Sequence, residues 1–271
     1  DRGRNERAGH PPPNAANRHA CAYDRSEARP FAHPRRNHTT MRVTQLWRYP
    51  VKSMRGEVLS STHFGYGGIP FDRRFALIDD TPDSHRRGMQ TTARQFPALL
   101  GYAASVADGS VVVKMPDGAV MDVTQPDAGA RLAKETGLSF ALADDPSGAN
   151  HDAADILVIN ETSVRQFADE WGQHIDLRRF RPNVVIDGVA AFEEESWVGR
   201  KLRVGGAVLD VVSRCGRCVI TTMDPETLVT DPSFLKQMAQ RHQANFGVYC
   251  AVSEPGDAGL GDECTLLPIE A

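Results

Sequence analysis

Two cysteines three apart, Cys215 and Cys218 in SRCGRCVITTMDP (213–225), are the residues here whose type and spacing most plainly could do chemistry. A C-x-x-C pair can be half of a structural zinc site, a redox dithiol, or a thiolate ligand beside an idle neighbour. Structural zinc needs four protein ligands. Cys250 and Cys264 lie too far downstream, and from each other, to form a second knuckle, and His242 stands alone on a predicted helix. A thioredoxin-type pair needs its first cysteine at a helix N-terminus, but the flanks VLDVVSR and VITT read as strands. A single thiolate suits a soft metal whose remaining ligands come from a cofactor. Spacing alone does not separate that reading from two ordinary structural cysteines.

Four basic turns are the second constellation: Lys52 with Ser53 in YPVKS, Arg73 and Arg74 in FDRRF, Arg94 in TTARQ, and Arg178, Arg179 and Arg181 before Asn183 in RRFRPN. Each alone is an ordinary solvated corner. Strand alternation in FDRRF turns one arginine inward and the other outward. Taken together, Lys and Arg at strand ends suit a phosphate or pyrophosphate ligand. There is no P-loop and no G-x-G-x-x-G after a strand, which argues against ATP and a Rossmann dinucleotide. No Ser/His/Asp nucleophile arrangement stands out.

The elements that must position these residues are mostly strands. MRVTQLWRYPV, broken at Pro50, RRFALID, a hairpin over 111–123 turning at Pro116-Asp117-Gly118, NVVIDG, KLRV-GG-AVLDVVSR, RCVITTMD, NFGVYCAVSE and ECTLLP all read as short strands between turns. Three helices are predicted: 127–137; 160–172, capped by Asn160 and ended by Gly172; and 231–243, with Asp231 as cap and Pro232 in the first turn. The fold class is therefore mainly β with a few helices (α+β), of barrel or closed type. A boundary is expected near residue 150, in the polar stretch DDPSGANHDA.

The 271 residues carry a net charge of −4, with 41% hydrophobic residues, as in an ordinary globular chain. That balance gives no pull toward nucleic acid or an anionic membrane, and no apolar run is long enough to span a bilayer. Five cysteines, an odd number, do not read as a disulfide framework; a reducing, cytoplasmic setting is expected. Residues 1–40 differ from the rest. They hold eight arginines against four acids and almost no aliphatic residues, so they read as disordered. A transit peptide is one reading. The acids, the missing initiator and the well-patterned start at Met41 favour a leader foreign to the natural chain.

YPVKS, DRRFALI, TARQFP, FRPNVVIDG and CGRCVITTMDP, in that order from about Met41 to the C-terminus, resemble the MOSC proteins with an extra N-terminal β-barrel domain. The amidoxime reducing components and the bacterial reductases of N-hydroxylated bases belong to that group. The resemblance implies a MOSC barrel over 151–271 and a smaller N-terminal β-barrel over 41–150. It implies a molybdenum cofactor, a pterin dithiolene with a phosphate, so that the protein need supply only one thiolate. By resemblance Cys218 is the metal ligand and Cys215 a neighbour without a required role. Lys52, Ser53, Arg74, Arg94, Arg181 and Asn183 fall on cofactor-binding positions, and Asp152 is an acid near the metal that positions substrate or delivers protons. The implied activity is reduction of N-hydroxylated small molecules, with electrons from a separate donor protein of ferredoxin, flavodoxin or cytochrome type. Two rival readings follow from the same likeness: a cofactor or persulfide carrier, since MOSC domains are also attached to pyridoxal-phosphate sulfurases, and a metal-free relative. This chain departs from the family's pattern in two places. Ala153-Ala154 stand where the family has Thr-Ser, and Leu228 replaces a glycine, which costs strain if φ is positive there.

Overall fold

The computed structural model describes residues 40–147 and 150–269, so the expectations for residues 1–39 and for Cys21 lie outside it. The described residues cluster as one compact unit.

Eight strands form the main sheet: β1 (Arg42–Arg48), β2 (Glu57–Leu59), β10 (Ile156–Asn160), β11 (Val184–Asp187), β12 (Lys201–Val204), β13 (Ala207–Gly216), β14 (Asn245–Glu254) and β16 (Cys264–Leu266). Their order is β16-β12-β13-β14-β10-β11-β1-β2. The sheet curls until its ends approach: Val43 N–H donates to the Asp262 carbonyl at 2.9 Å and Cys264 N–H to the Met41 carbonyl at 2.8 Å. Burying one face this way removes most of the exposed edge that an open sheet would present. The interior holds Leu46, Ile156, Val158, Val184, Ile186, Leu209, Val248 and Cys250.

β10 and β11 are parallel, and parallel neighbours need a crossover. The crossover is helix α2 (Glu161–Trp171). Its start is set by the Asn160 side chain, which accepts from Thr162 N–H, and its end by Gly172 at φ 80°. All five residues of β10 are buried. Ile156 and Val158 face the barrel, while Leu157 and Ile159 face a second cluster with Val164, Phe167, Phe234, Met238 and Phe246. Helix α3 (Pro232–His242) closes that cluster, with Asp231 accepting from Ser233 N–H and Pro232 in the first turn, as its sequence predicts.

The smaller part is also mainly β. One three-stranded sheet orders β5 (Gln90–Thr91), β4 (Phe75–Asp79) and β9 (Phe140–Asp144); another orders β6 (Ala103–Ala107), β7 (Ser110–Lys114) and β8 (Val120–Asp122). They share a core of Phe75, Leu77, Leu99, Val111, Val113 and Phe140 with helix α1 (Ala128–Thr136). The short β3 (Ser61–Phe64) pairs with β15 (Gly256–Gly259). β1 and β2, from the N-terminal part of the chain, are strands of the main sheet, β1 pairing antiparallel with β11.

One predicted strand is not a strand. Val219–Thr222, within RCVITTMD, forms a 3-10 turn. Thr221 Oγ1 donates to the Cys218 carbonyl at 2.9 Å and Thr222 Oγ1 to the Val219 carbonyl at 2.6 Å. These local side-chain bonds offer the backbone an alternative to a ladder, and here they win over β-branched propensity.

No helix among the described residues is long and apolar enough to cross a membrane.

Candidate functional site: a cationic cavity around Cys218

β13 ends at Gly216, and the chain bends through Arg217 and Cys218 into the 3-10 turn. Arg217 pins this bend, donating from Nε to the Phe246 carbonyl at 3.0 Å and from Nη1 to the Phe180 carbonyl at 2.9 Å. Cys218 is partly exposed on a cavity of about 280 Å³. Cys215 is 1% exposed and packs into the helix-facing core. The four described cysteines are free thiols, so C-x-x-C is no disulfide. Cys250 and Cys264 are buried in the barrel, and burial pushes the Cys264 thiol up to about 12. Among the described residues no cluster of three His, Cys, Asp or Glu is placed to hold a metal.

The cavity wall carries Lys52, Arg73, Arg94, Arg179, Arg181 and Arg217 against one carboxylate, Asp152. Arg181 sits in the left-handed region (φ 55°), its N–H closing onto the Arg178 carbonyl at 3.1 Å. Its guanidinium donates to the Met54 carbonyl at 2.6 Å and lies over the Tyr49 ring at 4.3 Å. Among the described residues neither Arg181 nor Arg217 has a carboxylate within ion-pair distance. Burial first, then the neighbouring Arg73 charge, lowers the Arg181 pKa to about 10. Two guanidiniums held this close favour an anion between or beside them.

Asp152 answers the outer cations. Its Oδ1 lies 2.8 Å from Lys52 Nζ and its Oδ2 3.5 Å from Arg94. Burial tends to raise its pKa, but the Lys52 hydrogen bond and the charges of Lys52, Arg94 and Arg73 hold it below the usual carboxylate value. An ionised Asp152 is fitted to orient cations and ligands, not to hand over a proton near neutrality. The Arg94 guanidinium is pushed up, first by hydrogen bonding to the Cys218 sulfur, against the cost of burial. Its turn is built by Gln95, whose Oε1 accepts from Thr92 N–H at 3.0 Å and from Thr92 Oγ1 at 2.8 Å.

Ser53 lines the cavity at φ 70°, strained for a residue with a Cβ, and its hydroxyl has no hydrogen bond among the described residues. Asn183 also lines it, but all of its hydrogen-bonding capacity goes to protein. Nδ2 donates to Trp47 O (3.3 Å) and Asp72 Oδ2 (3.0 Å); Oδ1 accepts from Leu157 N–H (3.1 Å) and Arg73 Nη1 (3.2 Å). It holds the cation that faces the cavity.

The structure differs at Arg74, which does not line this cavity. It pairs bidentately with Asp144 at 2.6 and 2.9 Å on the outer side of β4. Arg73 is the cavity cation instead, paired with buried Asp72. The reason is local. Arg73 has φ 49° and belongs to a turn, so strand parity does not decide its direction. Arg179, one of the basic-turn arginines, also lines the cavity, as do Tyr249, His151, Arg217 and Thr92, which the sequence alone does not single out. Arg179 is held by Asp224 at 3.0 Å, which gives the acid of TTMDP a structural purpose. Ala153 and Ala154 line the wall without hydroxyls, and Leu228 does adopt positive φ (60°).

A curled β-barrel with one partly exposed cysteine, Cys218, on a cavity lined by basic turns defines the class. Residues 145–265 match the MOSC domain family and residues 40–160 the MOSC N-terminal beta barrel domain family; the chain belongs to the MOSC proteins with that N-terminal domain. Among curated proteins it is 25% identical to mitochondrial amidoxime-reducing component 1 of Mus musculus, over 87% of this chain and 86% of that one. It is 26% identical to the Homo sapiens counterpart, over 83% and 82%. The solved YUAD protein from Bacillus subtilis aligns with a TM-score of 0.47 at 17% identity, over 83% of this chain and 94% of that one.

The residues present fit a molybdenum cofactor. One soft donor, Cys218, suits a metal whose other sulfurs come from a dithiolene. The unpaired Arg181 and Arg217 and the free Ser53 hydroxyl suit a phosphate.

Proposed function

We propose that this protein is a molybdenum-cofactor-dependent reductase of N-hydroxylated small molecules, served by a separate electron-donor protein. The observation that carries the reading is a single cysteine, Cys218, on a cavity with six cationic side chains and one carboxylate. The likeness to amidoxime-reducing components supports the substrate class. When bound, the cofactor supplies the two-electron couple for N–O cleavage. The overall balance is R2N–OH with two electrons and two protons giving R2N–H and water.

In this reading Cys218 holds the metal. Arg73, Arg181, Lys52 and Ser53 hold the cofactor's anionic end, and Asn183 keeps Arg73 in place. Arg94, which interacts with Cys218, and Asp152, paired with Arg94, would orient the substrate. In this reading 41–150 is the N-terminal β-barrel domain and 151–271 the MOSC domain, with β1 and β2 of the first joining the sheet of the second. A reducing, cytoplasmic setting is part of this reading; the curated relatives are named as mitochondrial.

The test is molybdenum analysis of the wild-type chain beside Cys218→Ala and Cys215→Ala, expressed in a host that makes the cofactor. Near-stoichiometric metal in wild type and Cys215→Ala, with depletion in Cys218→Ala, is the expected result. It is followed by turnover of a hydroxylamine or amidoxime with an added donor. Absence of molybdenum from all three sinks the reading, and a persulfide on Cys218 then marks a sulfur carrier. Full turnover from NADH with no donor protein would remove the donor from the proposal.

A further inference from the structure

His151 carries an unexplained buried nitrogen. Its side chain is 6% exposed and lines the same cavity. Its Nδ1 faces Asp72 Oδ2 at 4.0 Å, while Nε2 is buried with no hydrogen-bond partner. A buried polar atom left unpaired costs about 1–3 kcal/mol, and such exceptions usually have a reason. The surroundings indicate what kind of partner is missing. Arg73, next along the wall, pairs with the same Asp72, and Arg181 and Lys52 lie beyond. His151 and these cations line one cavity, so an anion is the partner chemistry that the wall favours. The chain then runs directly into Asp152-Ala153-Ala154, where two cavity-lining residues carry no hydroxyl.

We propose that His151 is a cofactor-anchoring residue of this chain, its Nε2 hydrogen-bonding the anionic group of the bound cofactor where Ala153 and Ala154 have no hydroxyl to give. The ring is suited to this by its second nitrogen. With Nδ1–H directed at the Asp72 carboxylate and Nε2–H at the anion, an imidazolium is matched on both sides. Without a ligand, burial and then Arg73 disfavour the charged ring. A bound anion opposes the Arg73 effect, so the charge arrives with the ligand.

This inference rests on the cofactor reading above, and the test separates the two. Molybdenum and pterin per chain are measured after gel filtration for the full-length wild type, His151→Ala, His151→Gln and His151→Ala combined with Ala153→Thr and Ala154→Ser. Loss of a charge-assisted hydrogen bond should lower retention roughly tenfold or more in His151→Ala. The restored hydroxyls should return it, and His151→Gln, which keeps an N–H donor, should hold most of the cofactor. A loaded wild type with His151→Ala within twofold of it overturns the inference and leaves the function untouched. A wild type without molybdenum overturns both. Should His151→Ala not fold, His151→Leu against His151→Gln decides in the same way: Leu depleted and Gln loaded supports the inference, equal loading overturns it.

Discussion

Lys52 and Asp152, a hundred residues apart in sequence, meet at 2.8 Å across the mouth of the Cys218 cavity. The pair joins the turn after β1 to the segment before β10, and Arg94 comes to the second carboxylate oxygen at 3.5 Å. The Asp152 side chain is 47% exposed, so its contribution to stability is below about 1 kcal/mol. Its pKa is depressed in the fold. That contribution is therefore present above the unfolded carboxylate value of about 3.9 and is lost as pH falls through the lower folded value. Asp152→Asn is expected to cost less than about 1 kcal/mol in urea unfolding near neutrality, and that cost should shrink as pH falls below about 3.9. Turnover should respond differently. With Lys52 and Arg94 released from their carboxylate in the cavity, kcat/KM for the proposed reaction should fall roughly tenfold or more. A variant with unchanged kcat/KM would leave Asp152 as a counter-charge only.

Asn183 gives the opposite balance, a cavity residue whose removal damages the scaffold. Replacing it with alanine strands the Leu157 N–H, a Trp47 carbonyl and one Asp72 contact in a site 1% exposed. At about 1–3 kcal/mol for each buried group left unpaired, partly relieved by relaxation, the loss should be on the order of 3 kcal/mol. Chemical denaturation at neutral pH measures it. Cofactor retention should fall too, because Arg73 loses its 3.2 Å contact to Asn183 Oδ1. A loss under about 1 kcal/mol would mean that water replaces the amide, and Asn183 would not be the fixing residue described above.

The sequence carried the local part of this design and lost the non-local part. Helices α2 and α3 were readable because their caps are within the element: Asn160 and Asp231 each accept from an N–H two residues on. The hairpin of β12 and β13 was readable from Gly205-Gly206 between two apolar runs. That β1 pairs with β11, some 140 residues away, follows from no local rule. The basic turns were legible as a set, since their charge conflicts with a net acidic body. Which arginine of Arg73 and Arg74 faces inward was not, because a positive φ at Arg73 breaks the alternation on which such a choice depends. Val219–Thr222 has β-branched residues and still turns, since two threonine hydroxyls bond back to carbonyls three residues earlier. His151 gave no signal at all; an orphaned nitrogen exists only once the surrounding walls are in place.

Leu228 tests whether a departure from the family's pattern is a defect. At φ 60° a side chain costs about 1–2 kcal/mol, which glycine would relieve. Glycine would also restore roughly 0.5–1 kcal/mol of unfolded-state freedom, cancelling much of the gain. What remains is packing. The Leu228 side chain lies against the cluster of Ala93, Leu100 and Met223, so it ties the 224–230 turn to the smaller β part. Partial burial of a leucine outweighs the residual strain. Leu228→Gly is expected to lower the unfolding free energy by about 1 kcal/mol, not to raise it. A stabilised Leu228→Gly would show that the turn and not the contact dominates.

Glu194 supplies a pH signature away from the cavity. It is fully buried beside the start of α2, with Ser163 Oγ donating to its oxygens at 2.8 and 3.0 Å and Asn160 Nδ2 at 3.4 Å. Burial raises its pKa to about 7, against the lowering effect of those hydrogen bonds and with a smaller upward push from Glu195. In the unfolded chain the group titrates near about 4.3. Between these values the folded state binds more protons than the unfolded one, so this group's stability contribution falls as pH rises through the window and is fully present below it. The drop from about pH 5 to pH 8 should amount to no more than a few kcal/mol, and other groups add their own slopes. Glu194→Gln keeps a neutral hydrogen-bonding group at every pH. It should match or fall slightly below wild type at about pH 5 and exceed it at about pH 8 in urea unfolding. Parallel pH profiles for the two proteins would mean that Glu194 is ionised in the fold throughout, with its hydrogen bonds outweighing its burial.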